Sequence, residues 1–291
     1  MRRIGVIGLG AMGTALTKSL LAAGYSVSCW DRRVAAAAPL AELGARVTGS
    51  ARELAAEVEL VLTFLPGPAQ VREVALDPVN GVLAGLERGA AMLDMSTCEP
   101  DLATELDAEF RAVGRKFADC PVSRQAPRMT VLVGGPRGSL GAAEPVLTAA
   151  AEHIVYCGRI GSGYATKLLN QQIKYTWYLA SAEALATARK LGLDPAVVVD
   201  AVRRSSGGDA GFANAAEYFL GDDEAMRTHA PASTIEKDML LAEAMTARAG
   251  TRSRMLAPVV DFFRAVAQTP WRSRPFPESC ALLETMREDH R

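Results

Sequence analysis

The sequence predicts an α/β first half, built as a doubly wound parallel sheet, followed by an all-α second half. Three observations carry that expectation. Short apolar runs alternate with helix-period segments as far as Tyr156. A glycine cluster, Cys157-Gly158-Arg159-Ile160-Gly161-Ser162-Gly163, then changes the composition, and no β-rich run follows it. The predicted division is residues 1–160 and residues 161–291.

The first element is the apolar run Ile4-Gly5-Val6-Ile7, followed at once by Gly8-Leu9-Gly10-Ala11-Met12-Gly13. Ala15, Leu16, Leu20 and Leu21 then recur at helical spacing until Gly24, and Val27 to Trp30 form a second strand ending on Asp31. Strand, glycine turn, helix, strand and acid is the order of a Rossmann dinucleotide-binding unit. Gly8 permits the tight turn, Gly10 lets the backbone approach a pyrophosphate, and Gly13 lets helix and strand pack closely. The diphosphate would rest on the unpaired N–H groups of the helix start, where the dipole favours negative charge. Asp31 stands where an acid meets the ribose hydroxyls, which favours NAD. Arg32 and Arg33 follow it, and an arginine there would clamp the extra phosphate of NADP or simply be solvated. The preference is for NAD, with NADP kept open.

Glu59 to Leu65 reads as a buried strand stopped by Pro66-Gly67-Pro68. Strands of this fold turn their C-terminal ends to the ligand crevice, so Leu65 and Pro66 are expected to line the cofactor. Ala91 to Met95 is a similar strand ending in Ser96-Thr97, whose hydroxyls either face the crevice or cap the helix beginning near Pro100-Asp101. Phe117 to Cys120, Thr130 to Val133 and Ile154 to Tyr156 complete the predicted strands.

Tyr164 to Leu191 has no glycine or proline and reads as one helix about 42 Å long at the usual rise. Gly192 ends it, and Asp194-Pro195 starts another helix with a cap residue and an N1 proline. Further helices are expected near 209–220, 233–249, 254–268 and 277–288.

Composition narrows the function. The chain has 291 residues, 49% hydrophobic and 22% charged, with a net charge of −1. It has no basic stripe for nucleic acid and no apolar stretch long enough for a membrane span. The start runs directly into a strand without a signal-type leader, so a soluble cytoplasmic protein is expected. The cysteines (29, 98, 120, 157, 280) show no metal-ligand spacing and read as free thiols. His153, His229 and His290 form no ligand set and read as structural or surface residues; no metal is expected. A proton carrier must then be another residue type.

Lys167 and Asn170-Gln171 lie in the first turns of the long helix, three and four positions apart and therefore on one face. A lysine partly desolvated in a cleft can serve as acid or base. On spacing alone, a solvated lysine on an exposed face is the simpler reading.

Seven segments change that balance. GLGAMG at 8–13, Leu65-Pro66, DMST at 94–97, DCPVS at 119–123, LVGG at 132–135, GSGYATKLLNQ at 161–171 and EKDM at 236–239 resemble the β-hydroxyacid dehydrogenase family. That family includes 3-hydroxyisobutyrate dehydrogenase and tartronate semialdehyde reductase, and its segments run in this order over almost the whole chain. The resemblance implies a hydride transfer between NAD or NADP and a 3-hydroxy acid, with Lys167 as general acid/base. It implies that Asn170 or Gln171 orients Lys167 and holds substrate, and that Ser123 bonds the substrate carboxylate or hydroxyl. Lys237 would close over the nicotinamide and Asp238 would support the site. Thr97 joins the cofactor contacts, and the helical half resembles the C-terminal domain of 6-phosphogluconate dehydrogenase. A homodimer or homotetramer is the family-level expectation.

One departure stands out. The family follows its serine with two glycines and a longer loop; here Arg124-Gln125-Ala126-Pro127-Arg128 follows. Arg124 or Arg128 either replaces the lost backbone donors with a guanidinium clamp or faces solvent. A larger or differently charged hydroxy acid is thereby admitted as substrate. Two other readings are carried: an imine reductase of the same architecture, whose relatives generally lack a lysine at position 167, and a nucleotide-binding module without turnover.

Overall fold

The computed structural model describes residues 3–205, 207–208, 210–250 and 253–285. It divides into two compact units, Met1–Lys167 and Leu168–Arg291.

In the first unit six strands form one parallel sheet: β1 (Arg3–Ile7), β2 (Ser26–Trp30), β3 (Arg46–Val47), β4 (Leu60–Thr63), β5 (Ala91–Asp94) and β6 (Lys116–Asp119). Their spatial order is β3-β2-β1-β4-β5-β6. The order reverses direction between β1 and β4, and a crevice opens at such a switch point beyond the strands' C-terminal ends. Helices α1 (Ala11–Ala22), α2 (Ala38–Ala41), α3 (Ala51–Glu57), α4 (Pro68–Leu76), α5 (Val82–Gly85) and α6 (Pro100–Ala112) make the connections. Strand side chains alternate between two cores. Ile4, Val6, Leu60 and Leu62 pack with Leu16 and Leu20 of α1, while Ile7 and Val61 pack with Leu54, Val71 and Phe110. Burial on both faces explains why these strands read as unbroken apolar runs.

The later strands do not extend this sheet. β7 (Val122–Ser123), β8 (Met129–Val133) and β9 (Ala151–Tyr156) form a separate sheet in the order β7-β8-β9. β7 and β8 are antiparallel, because residues 124–128 are too few for a crossover between parallel strands. The stretch from β8 to β9 includes α7 (Glu144–Thr148), and that pair is parallel. The runs at 130–133 and 154–156 are thus strands, as expected, but not strands of the doubly wound sheet. β3, two exposed residues long, carried no readable pattern.

The long helix is α8 (Ser162–Lys190), 29 residues. Its first turns belong to the first unit and the remainder to the second. The second unit adds α9 (Pro195–Arg203), α10 (Ala210–Leu220), α11 (Asp223–Met226), α12 (Ala232–Arg248), α13 (Leu256–Ala267) and α14 (Cys280–Thr285). Asp194 caps α9 by accepting the Ala196 N–H at 2.9 Å. Tyr175, Tyr178, Phe263 and Phe276 form its aromatic centre, and the buried Tyr178 hydroxyl donates to the Phe276 carbonyl at 3.0 Å. The helix expected over 277–288 is a 3₁₀ turn, Phe276–Ser279, and then α14; positions beyond 285, including His290, lie outside the described residues. No helix among the described residues is long and apolar enough to cross a membrane.

Candidate active site

The glycine turn joins the C-terminal end of β1 to α1. Gly8 has φ +88, and a Cβ there would lie 2.1 Å from the Phe64 carbonyl oxygen. A Cβ on Gly13 would lie 1.9 Å from the Gly8 carbonyl oxygen. The chain's own packing requires both. Gly10 differs: a Cβ there meets no protein atom within 4 Å, and its φ of −70 suits any residue. Close approach of a ligand backbone is the remaining reason for glycine there, and it fits a pyrophosphate. Gly10 and Ala11 are exposed, Met12 is half-buried and Leu9 is buried.

Asp31 is tied to this turn. Its carboxylate accepts the Leu9 N–H at 2.7 Å and the Arg33 N–H at 2.8 Å, and the Arg33 guanidinium lies 3.4 Å away. Burial alone would raise its pKa, but these donors outweigh burial and hold it below the usual carboxylate value. Arg32 and Arg33 are exposed. Leu65, half-buried, and Pro66, exposed, follow β4, while half-buried Thr97 follows β5.

Lys167 is 8% exposed, and its Nζ donates to the Ser123 hydroxyl at 3.4 Å. The solvated-lysine reading therefore fails. Ser123 ends β7, and two residues on the Gln125 amide donates to the Ala11 carbonyl at 2.9 Å. That bond ties the serine loop to the start of α1. Arg124 has φ +64, so it holds a left-handed conformation that favours glycine, the family's residue at this place. Its guanidinium is exposed and lies 3.9 Å from Glu152; Arg128 is also exposed.

Ser96 does not cap α6. The N-cap is Glu99, which makes no side-chain cap bond, while the Ser96 hydroxyl donates to Asp94 at 2.8 Å and accepts the Leu65 N–H at 2.8 Å. Asp94 also accepts from Thr63, from the Ser96 N–H at 3.1 Å and from the Tyr164 hydroxyl at 2.6 Å. Asp119 accepts the Gly161 and Tyr164 N–H groups at 2.9 Å each, capping the start of α8. Burial pushes the Asp119 carboxyl up to about 6, against those donors, and burial raises Asp94 as well. Sequence reasoning gave neither acid a role. The available signal was a charged residue closing an apolar strand at the crevice end.

The second unit holds the other expected residues. The Gln171 amide donates to Asp238 at 2.6 Å, and Lys237 pairs with Asp238 at 2.9 Å. Gln171 and Asp238 are buried, whereas Asn170 is exposed and donates to the Gln171 carbonyl oxygen at 3.4 Å. Lys174, unremarked in the sequence, holds its ammonium 5.0 Å from the Tyr175 ring and 5.3 Å from the Phe276 ring. Burial lowers its pKa, opposed by Asp238 and Glu217. His229 pairs with Glu217 at 2.7 Å, and His153 is exposed on β9, which fits structural and surface roles.

Residues 3–158 match the family described as the NAD binding domain of 6-phosphogluconate dehydrogenase. Residues 161–274 match that described as NAD-binding of NADP-dependent 3-hydroxyisobutyrate dehydrogenase. The mitochondrial 3-hydroxyisobutyrate dehydrogenase of Homo sapiens is 32% identical over 209 residues, 70% of this chain and 62% of that protein. The match thus spans less than two thirds of that relative's length. The NAD-dependent L-serine dehydrogenase of Pseudomonas aeruginosa is 34% identical over 214 residues, 72% of each. The solved 3-hydroxyisobutyrate dehydrogenase of Mycobacterium tuberculosis with L-serine has a TM-score of 0.86 at 28% identity, covering 98% of this chain and 100% of that one. An imine reductase from Myxococcus stipitatus, at 18% identity, TM-score 0.66 and coverage of 97% and 99%, shares the fold alone.

Proposed function

The chain belongs to the β-hydroxyacid dehydrogenase family, and on that premise we propose that it oxidises a 3-hydroxy acid, or reduces the corresponding oxo acid, with a nicotinamide dinucleotide. The carrying observation is the buried Lys167 ammonium on the Ser123 hydroxyl at 3.4 Å. The relatives named above act, by their names, on 3-hydroxyisobutyrate and serine, which share a hydroxyl on the third carbon and a carboxylate.

In this reading Gly8 to Gly13 hold the pyrophosphate, Asp31 holds the ribose, and Leu65, Pro66 and Thr97 line the crevice. When bound, the dinucleotide supplies the hydride acceptor. Lys167, as the free amine, takes the hydroxyl proton in oxidation and, as ammonium, returns it in reduction. Ser123 donates to a substrate oxygen and keeps the Lys167 nitrogen directed at it. Gln125 holds that loop against α1. Asn170 or Gln171 is the amide assigned to substrate and to orienting Lys167, and Lys237 and Asp238, paired at 2.9 Å, are assigned the nicotinamide contact and its support. Asp31 disfavours a 2′-phosphate, so the assigned cofactor is NAD.

The reading also includes residues 1–160 as the cofactor domain and residues 161–291 as the substrate and association domain. Leu169, Ile173 and Trp177, at four-residue intervals on α8, are 51%, 65% and 55% exposed, which supports a homo-oligomer. The five free thiols fit a reducing compartment such as the cytoplasm.

The test is a screen of 3-hydroxy acids with NAD and NADP beside a Lys167→Ala variant. Turnover lost in the variant upholds the assignment; unchanged turnover removes Lys167 from the chemistry. Reduction of cyclic imines with hydroxy acids ignored would favour the imine reductase, and dinucleotide binding without any turnover would favour the inactive module.

A further inference from the structure

The Lys167–Ser123 contact leaves unexplained why the strand ends nearby enclose two carboxylates. Asp94 and Asp119 end β5 and β6, and neither has any exposed surface. Burying an acid is costly unless its lone pairs are matched by donors. For Asp94 the match is complete, with four donors from three places. Thr63 comes from the end of β4, the Ser96 hydroxyl and N–H from the loop after β5, and the Tyr164 hydroxyl from the first turn of α8. A carboxylate offers four acceptor sites and no donor, which matches these four donors one for one.

The bonds continue outward on both sides. From Asp94 they run through the Ser96 hydroxyl to the Leu65 N–H, the backbone that is expected to line the dinucleotide crevice. On the other side they reach Tyr164, three residues before Lys167 on the same helix and so on its side of the first turn. Asp119 fixes the backbone of that turn through Gly161 and Tyr164, and a Cβ on Gly134 would lie 1.8 Å from its carboxylate oxygen. The turn is therefore held at two backbone points by one enclosed carboxyl.

We propose that Asp94 is a positioning residue that sets the crevice wall at Leu65 and the Lys167 turn of α8 in register, so that the hydride acceptor meets the substrate carbon while the proton acceptor meets the hydroxyl on it. The inference rests on the dehydrogenase reading for the task of Lys167. Its physical content, one buried node joining two walls, is independent of that reading. Asp94, Ser96 and Tyr164 are buried, so in this proposal they act through Leu65 and Lys167.

Tyr164→Phe removes one hydroxyl and keeps the ring. Expected are a kcat at least tenfold lower, KM and dinucleotide Kd within twofold, and a larger primary isotope effect on kcat with substrate deuterated at the reacting carbon. A packing role alone would lower Tm and the active fraction but leave the isotope effect unchanged, and that result would overturn the proposal. Ser96→Ala cuts the other arm. If the node is shared, the double variant loses less than the product of the two single losses; losses that multiply would also overturn it. Hydrogen exchange reads the coupling without turnover. Ser96→Ala should speed exchange over 162–168 as well as around Leu65, and exchange confined to Leu65 would sink the proposal. Coupled exchange in a wild type that oxidises no hydroxy acid would uphold the node and sink the dehydrogenase reading.

Discussion

Lys167 and Lys174 stand two turns apart on one face of α8, yet the two units give them opposite surroundings. In the first unit Lys167 is buried against a hydroxyl, on a turn fastened by Asp119 and Tyr164. In the second unit Lys174 lies half-buried over two aromatic rings, with no ion pair to any described residue. Residue type and helix position are the same; the partner decides what the group can do. The first unit ties Asp31 and Asp119 to backbone N–H groups and so fixes their direction. In the second unit Gln171, Asp238, Lys237, His229 and Glu217 pair mainly with one another, side chain to side chain.

The largest expected effect separates the two lysines. Lys167→Ala should lower kcat by about 10³-fold, the scale of a lost general acid/base, in steady-state assays. A drop of similar size in Lys174→Met would erase the contrast. Next come two glycines of one turn. Gly10→Val should weaken dinucleotide binding by roughly 100-fold in titration calorimetry while leaving Tm nearly unchanged, because a Cβ there meets no protein atom within 4 Å. Gly13→Val should destabilise the protein by about 2–3 kcal/mol in denaturant melts, because it drives a carbon into a carbonyl. Equal stability losses would mean that Gly10 serves packing after all.

Asp119 sharpens the comparison through pH. Its carboxyl sits at about 6 in the fold against 3.8 ordinarily, so the folded chain holds that proton more tightly than the unfolded one. The resulting stability is complete below about pH 4 and is lost as pH rises through about 6. Relative to Asp119→Asn, the wild type should therefore lose roughly 3 kcal/mol across that window. A difference between the two melts that does not change with pH would count against the buried acid. The smallest effect belongs to Lys174→Met. Ring contacts are worth about 0.5–1 kcal/mol, less than the cost of enclosing an ammonium without an ion pair, so Tm should rise slightly.

Much of this architecture was legible in the residues. The turn at 8–13 declared itself because its glycines, strand and acid each answer a separate steric or electrostatic demand. The long helix was legible because nothing between Ser162 and Lys190 interrupts its period. The second sheet was not, since an apolar run such as Thr130 to Val133 says strand but not which neighbour it pairs with. Loop length held that information: residues 124–128 are too short for a crossover. Lys167 and Ser123 were legible as a pair only through family resemblance, because 44 positions separate them. Asp94 stayed silent for another reason. An acid closing a strand looks the same in sequence whether water or four protein donors surround it.

The left-handed backbone at Arg124 has a consequence of its own. An L-residue with a long side chain there carries a penalty of about 1 kcal/mol that glycine would not. Replacing Arg124 by glycine would remove the guanidinium and that penalty together, and would ask nothing new of the main chain. The charge of this loop can be changed as one changes the tip of a tool, with the handle left as it was.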